Sequence, residues 1–204
     1  ARLDLRHAIL LNSSGTDYLR LTDIPEDTAK FFMKAPDNNI LEFILSPKVV
    51  LVEGDAEYML IESFFEIVLG AKKPDDVHVI SVDGTSFKRY LELAKVLKIK
   101  TAVIRDNDGK RQVNCVDRYE EFNSIDTIEV FSDKDDIVRT TFEIAIYQDN
   151  QAVCEAIFGA DRKTLTVQDY MLKNKAEVAF QLLLHREELL KKGEDLVCPP
   201  YIND

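Results

Sequence analysis

Val49-Val50-Leu51-Val52-Glu53-Gly54-Asp55-Ala56-Glu57 is the stretch on which the fold turns. Its four apolar residues form one continuous run after Pro47, the pattern of a strand buried on both faces. Glu53-Gly54-Asp55 reads as a turn, and apolar residues at helical spacing predict a helix over 56–69. The same unit recurs downstream. A strand is predicted over 77–80, a turn at Asp83-Gly84-Thr85, and a helix over 87–97 with Tyr90, Leu91, Ala94 and Leu97 on one face. A third strand, 101–104, runs into Arg105-Asp106-Asn107-Asp108-Gly109. Strand and helix alternating in this way predict an α/β fold: a small, mainly parallel sheet flanked by helices.

A fourth strand is expected over 127–131, beyond a loop containing Cys115 and Tyr119. Upstream, helices are expected over 25–34, opened by Thr22 or Asp23 with Pro25 near its first position, and over 38–45. Downstream the chain reads as helical over 142–147, 151–158 and 167–191, the last with Tyr170, Met171, Val178, Phe180, Leu182, Leu183 and Leu190 as apolar surface. The tail from Gly193 onward reads as irregular.

At 204 residues the chain suits one domain of ordinary size, and 46% hydrophobic with 31% charged residues marks it as folded. No apolar run reaches the length of a membrane span, and the first residues lack the apolar core of a secretory signal, so a cytoplasmic location is expected. Cys115, Cys154 and Cys198 fit neither a disulfide framework nor a zinc site, and His7, His78 and His185 form no zinc pattern. A net charge of −11 argues against coating nucleic acid through the global field. It leaves a nuclease open, because carboxylates gathered around Mg²⁺ are themselves acidic and the ions meet the phosphate. Local basic clusters such as Lys72-Lys73 or Arg162-Lys163, or another domain or subunit, would then hold the substrate.

In a parallel sheet, ligands bind beyond the carboxyl ends of the strands. Glu53 closes the first strand with Glu57 one helical turn on, and Asp106 and Asp108 close the third, where alternation would aim both into one crevice. Any one of these acids is most simply a helix cap or a solvated loop residue. Together they would repel unless a cation neutralised them, and hard oxygen ligands select Mg²⁺, Mn²⁺ or Ca²⁺. An EF-hand is excluded because Gly109 and Asp117 fall at the wrong positions of that loop. An aspartyl-phosphate phosphatase would explain Asp106-Asn107-Asp108 but not Glu53 to Glu57.

These motifs, in this order, resemble the Toprim domain of topoisomerases, DnaG-type primases and certain nucleases. More narrowly, VVLVEGDAEYML with TTFEIAIY and NKAEVAFQLL resembles the C-terminal region of OLD (overcoming lysogenization defect) family nucleases, which include the Gabija defence nuclease. The resemblance covers roughly residues 45–184 and implies a Toprim core (47–135) between a helical lead-in (1–46) and a helical element completing the active site (136–204). It implies a two-metal DNA endonuclease using Mg²⁺, Mn²⁺ or Ca²⁺, with a role in phage defence. Glu53, Glu57, Asp106, Asp108 and Glu143 would be metal ligands, with Glu53, Asp106 and Lys175 catalytic. One ion would sit near Glu53, Asp106 and Asp108, the other near Glu57 and Glu143. Asp55 would support a ligand or simply cap its helix. The family's chain normally begins with an ABC-type ATPase domain that mediates dimerisation. No GxxxxGK[ST] loop occurs here, so the chain resembles an excised C-terminal fragment. The alternative is a non-catalytic Toprim-like module that binds DNA or a partner. A primase-type polymerase would need a basic helical domain.

Overall fold

The computed structural model describes residues 7, 9–11, 18–34, 39–82, 86–160 and 164–203. In chain order the elements are β1 (Ile9–Leu11), β2 (Tyr18–Arg20), α1 (Glu26–Lys34), α2 (Ile40–Leu45), β3 (Lys48–Val52), α3 (Asp55–Leu69), β4 (Val77–Ser81), α4 (Phe87–Leu97), β5 (Lys100–Ile104), β6 (Ile128–Phe131), α5 (Phe142–Asp149), α6 (Gln151–Phe158), α7 (Val167–Lys173), α8 (Lys175–Lys191) and α9 (Pro200–Asn203). A π-helical turn (Gln112–Val116) and a 3₁₀ stretch (Asp117–Phe122) link β5 to β6.

The continuous apolar run of β3 occupies an inner position of a four-stranded, all-parallel sheet ordered β4-β3-β5-β6. Strand alternation divides its side chains between two cores. Val50 and Val52 pack with Leu60, Phe64, Phe142, Val178 and Leu182 of α3, α5 and α8. Val49 and Leu51 pack on the other side with Phe43, Tyr90, Leu91, Tyr119 and Phe122. β5 divides in the same way, Ile104 going to the first core and Val103 to the second. The chain leaves β3 through α3 on the first side and leaves β5 through the Tyr119 and Phe122 segment on the second. The crevice between the carboxyl ends of these neighbouring strands is where an open α/β sheet receives a ligand.

Several expectations need correction. The lead-in holds an antiparallel ribbon, β1 with β2, before its helices; strands of three residues are too short to show a period. The helix expected over 167–191 is two helices broken at Asn174 (φ −131°, ψ 43°, which is non-helical), whose side chain donates to the Tyr170 carbonyl at 2.9 Å. Phe180 and Leu190 face solvent rather than the core. The tail is tied down: Asn150 exchanges two hydrogen bonds with the backbone of Val197 (3.0 and 2.7 Å), and Arg186 grips Asp195 through two nitrogens (2.6 and 2.9 Å). These ties carry α9 back so that Tyr201 is buried in the first core. The expected turn Asp83-Gly84-Thr85 lies outside the described residues. Cys115 and Cys154 are buried and free.

Phe64 and Phe142 meet edge to face across α3 and α5, with centroids 6.2 Å apart. Phe64→Ala is expected to cost about 3–5 kcal/mol, the usual loss for a fully buried phenylalanine. Urea unfolding measures this, and a loss below about 1 kcal/mol would show that α3 and α5 do not share a packed core.

Candidate metal centre

Alternation along the strands also decides which acids meet. Glu53 continues the Leu51 side of β3, and Arg105 continues the Val103 side of β5, so both fall on the α4 side of the sheet. There Arg105 donates to Glu53, and its other terminal nitrogen lies 3.2 Å from Asp108 Oδ2. Asp106 continues the Ile104 side and turns toward α3 and α5. Its Oδ1 accepts the Phe142 backbone N–H at 2.7 Å, so the carboxylate sits at the N-terminus of α5, where the helix dipole favours it.

Glu57, in the first turn of α3, is buried, as is Glu143, the second residue of α5. Burial, and then the nearby Glu143 and Glu53, push the Glu57 carboxyl up to about 7 against the pull of Lys175. Burial, followed by Glu57, Glu143 and Glu53, pushes Asp106 up to about 8, with Lys175 again opposing. Lys175 opens α8 because the helix breaks at Asn174, and its Nζ lies 3.0 Å from Glu143 Oε2. That contact is close but poorly directed. Both Glu143 oxygens are buried without a hydrogen bond from the described residues.

The structure therefore gathers Glu53, Glu57, Asp106, Glu143 and Lys175 at one end of the sheet, close enough to perturb one another. Asp108 stands apart. The chain turns left-handed at Asp108 (φ 51°) and Gly109 (φ 71°), so the alternation that would align it with Asp106 ends there and its side chain is 48% exposed against Arg105. Asp55 is exposed in the first turn of α3, where its charge suits the helix N-terminus. Lys72-Lys73 follow α3, roughly 22 Å of helix away from the crevice, so they are not the local basic cluster expected beside it. Arg162-Lys163 lie outside the described residues.

Three residues join the site that the sequence reading did not select. Arg105 pairs two of the expected ligands, and its signal was a cation placed directly at the end of an apolar strand. Asn107 is fully buried, its amide nitrogen 3.0–3.1 Å from the carbonyls of Asp133, Asp135 and Arg139 and its Oδ1 accepting the Gly109 N–H at 2.8 Å. It pins the loop after β6 to the crevice. Tyr201 is buried within electrostatic range of Asp106, Glu57 and Glu143, and burial first, then these acids, push its hydroxyl well up. Nothing local to the tail signals this.

Among the described residues, no three His, Cys, Asp or Glu side chains already stand in ligating positions around one point. The donor set still fits a hard divalent cation. It consists of carboxylates; burial first, and then the neighbouring acids, keep two of them titrating near neutrality, and both oxygens of a third are buried with no hydrogen bond from the described residues.

An acid-lined crevice at the carboxyl edge of a four-stranded parallel sheet, covered by helices on both faces, defines the Toprim class of α/β fold. Residues 44–108 match the family model described as Overcoming lysogenization defect protein-like, TOPRIM domain. The match takes in Glu53, Glu57, Asp106 and Asp108 and ends before Glu143 and Lys175. Similar solved structures include the C-terminal region of the Burkholderia pseudomallei OLD protein, at 20% identity and TM-score 0.46, covering 78% of this chain and 93% of that one. The C-terminal region of the Xanthomonas campestris pv. campestris OLD protein is similar at 24% identity and TM-score 0.42, covering 78% and 91%. No curated protein matches. Among the described residues, no helix is long and apolar enough to cross a membrane.

The raised carboxyls have a consequence for stability. Folded Glu57 and Asp106 keep protons that the unfolded chain releases in the ordinary carboxylate range. The stability they contribute is thus full at acid pH and falls as pH rises toward 7–8. In EDTA the Tm should fall between about pH 5 and 8.5, and Asp106→Asn should flatten that fall and raise Tm at the alkaline end. Parallel pH profiles for the two proteins would show that folding does not raise the Asp106 carboxyl.

Proposed function

We propose that this chain is the catalytic part of a divalent-metal-dependent DNA endonuclease whose partner is an ABC-type ATPase domain that pairs two copies. What carries the reading is the meeting of Glu57, Asp106 and Glu143 with Lys175 at the carboxyl edge of the sheet, where both Glu143 oxygens are buried without a hydrogen bond from the described residues. Glu53, Glu57, Asp106, Asp108 and Glu143 would hold two ions, Mg²⁺ or else Mn²⁺ or Ca²⁺. Such ions acidify an attacking water and neutralise charge on the phosphodiester.

The chain's own residues set the geometry. The Phe142 N–H fixes Asp106, and the packed helices keep Glu57 and Glu143 from turning out to solvent. Lys175 is 49% exposed, so its ammonium can reach a phosphate oxygen while Glu143 holds it at the crevice. There it would stabilise the charge that builds on phosphorus, a contact whose loss costs roughly 10²–10³-fold in rate. The helical element would complete a site that the sheet alone leaves without Glu143 and Lys175.

Supercoiled plasmid should be nicked or linearised by the protein with Mg²⁺ or Mn²⁺. Glu53→Ala and Asp106→Ala should abolish cleavage, and Lys175→Ala should slow it about 10²–10³-fold. Intact plasmid with every divalent ion at high protein concentration would leave the non-catalytic module as the reading.

A further inference from the structure

We propose that Arg105 is a resident counter-cation of this centre, holding Glu53 and Asp108 until a divalent ion takes its place. The inference rests on the metal-dependent reading above and concerns what limits metal entry. The Arg105 backbone is fixed, since its N–H still bonds the Phe131 carbonyl at 2.9 Å as β5 ends. Its side chain is only 8% exposed and reaches from one candidate ligand to the other. Glu53 comes from the end of β3 and Asp108 from the turn after β5, so the guanidinium bridges the two neighbouring strand ends, the place an ion joining them would need.

A guanidinium stays protonated throughout the range in which proteins fold, so this cation can leave only by moving. Two features equip it to move. Its Nε is buried without a hydrogen-bond partner among the described residues, so the observed pose leaves part of its donor capacity unused. The guanidinium carbon already lies over the Phe87 ring, 6.0 Å from its centroid, so a guanidinium that leaves the carboxylates has an aromatic face beside it. Lys175 stands differently. Among the described residues its ion pair is with Glu143, and it is half exposed, so it can remain while an ion binds. The carboxylates are thereby divided into a buried trio beside Lys175 and a pair bridged by Arg105, and the pair is the part whose metal affinity the protein itself restrains.

Calorimetric titration of Mg²⁺ into the full chain tests this. Arg105→Gln should bind at least tenfold more tightly than wild type, with Arg105→Lys, which keeps the charge but loses the planar fork, between them. In wild-type protein the Arg105 Nε–Hε NMR signal, identified by its loss in Arg105→Lys, should shift saturably with Mg²⁺; this measurement stands even if the glutamine variant does not fold. Equal or weaker binding by Arg105→Gln, or an Arg105 signal unmoved while Mg²⁺ binds, overturns the role of Arg105 and leaves the metal centre standing. No binding heat in any of these proteins overturns both.

Discussion

Carboxylates drawn from separate parts of the chain into one end of a sheet repel, and much of the site answers that constraint. Burial sharpens the repulsion, because a low-dielectric surrounding penalises each charge and screens little of the force between them. The fold uses three responses. Glu57 and Asp106 retain protons near neutrality, Asp106 takes an amide hydrogen from the start of α5, and two internal cations, Lys175 and Arg105, stand against Glu143 and against Glu53 with Asp108. A purely structural domain would gain more from apolar side chains at such positions.

The backbone supplies these responses economically. One residue of helix-breaking backbone at Asn174 turns what would be a single long helix into two and places Lys175 in the first turn of the second. Thr141 caps α5 by accepting the Ile144 N–H, which leaves the Phe142 N–H free to serve Asp106. Asn107, between two acids, spends its whole side chain on backbone groups of the loop after β6 and of Gly109, so the crevice wall is held by an uncharged residue.

The β3-to-β5 core was legible in the sequence because inner parallel strands are continuous apolar runs and the intervening helices carry one apolar face each. Glu53, Glu57 and Asp106 were legible because strand ends in such a sheet share one edge. What escaped was encoded outside local patterns. The β1–β2 ribbon is too short for a period, and α9 is held by Asn150 and Arg186, residues distant in the sequence, so nothing near Tyr201 announces that it is buried. Asp108 was placed by carrying strand alternation into the left-handed turn at 108 and 109, which ends it.

Alternation carried one or two residues past the strand ends, and stopped before the left-handed turn, accounts for the division of the site. Leu51 and Val103 face the α4 core, so Glu53 and Arg105, two residues on, emerge on that side and pair. Ile104 faces the α3 core, so Asp106 emerges with Glu57, Glu143 and Lys175. The acids at the sheet edge thus belong to two cores at once, and anything that draws Glu53 toward Asp106 must pull across the plane of the sheet. A cation bound between them would be held by both helical layers, which ties the integrity of the centre to the packing on each face.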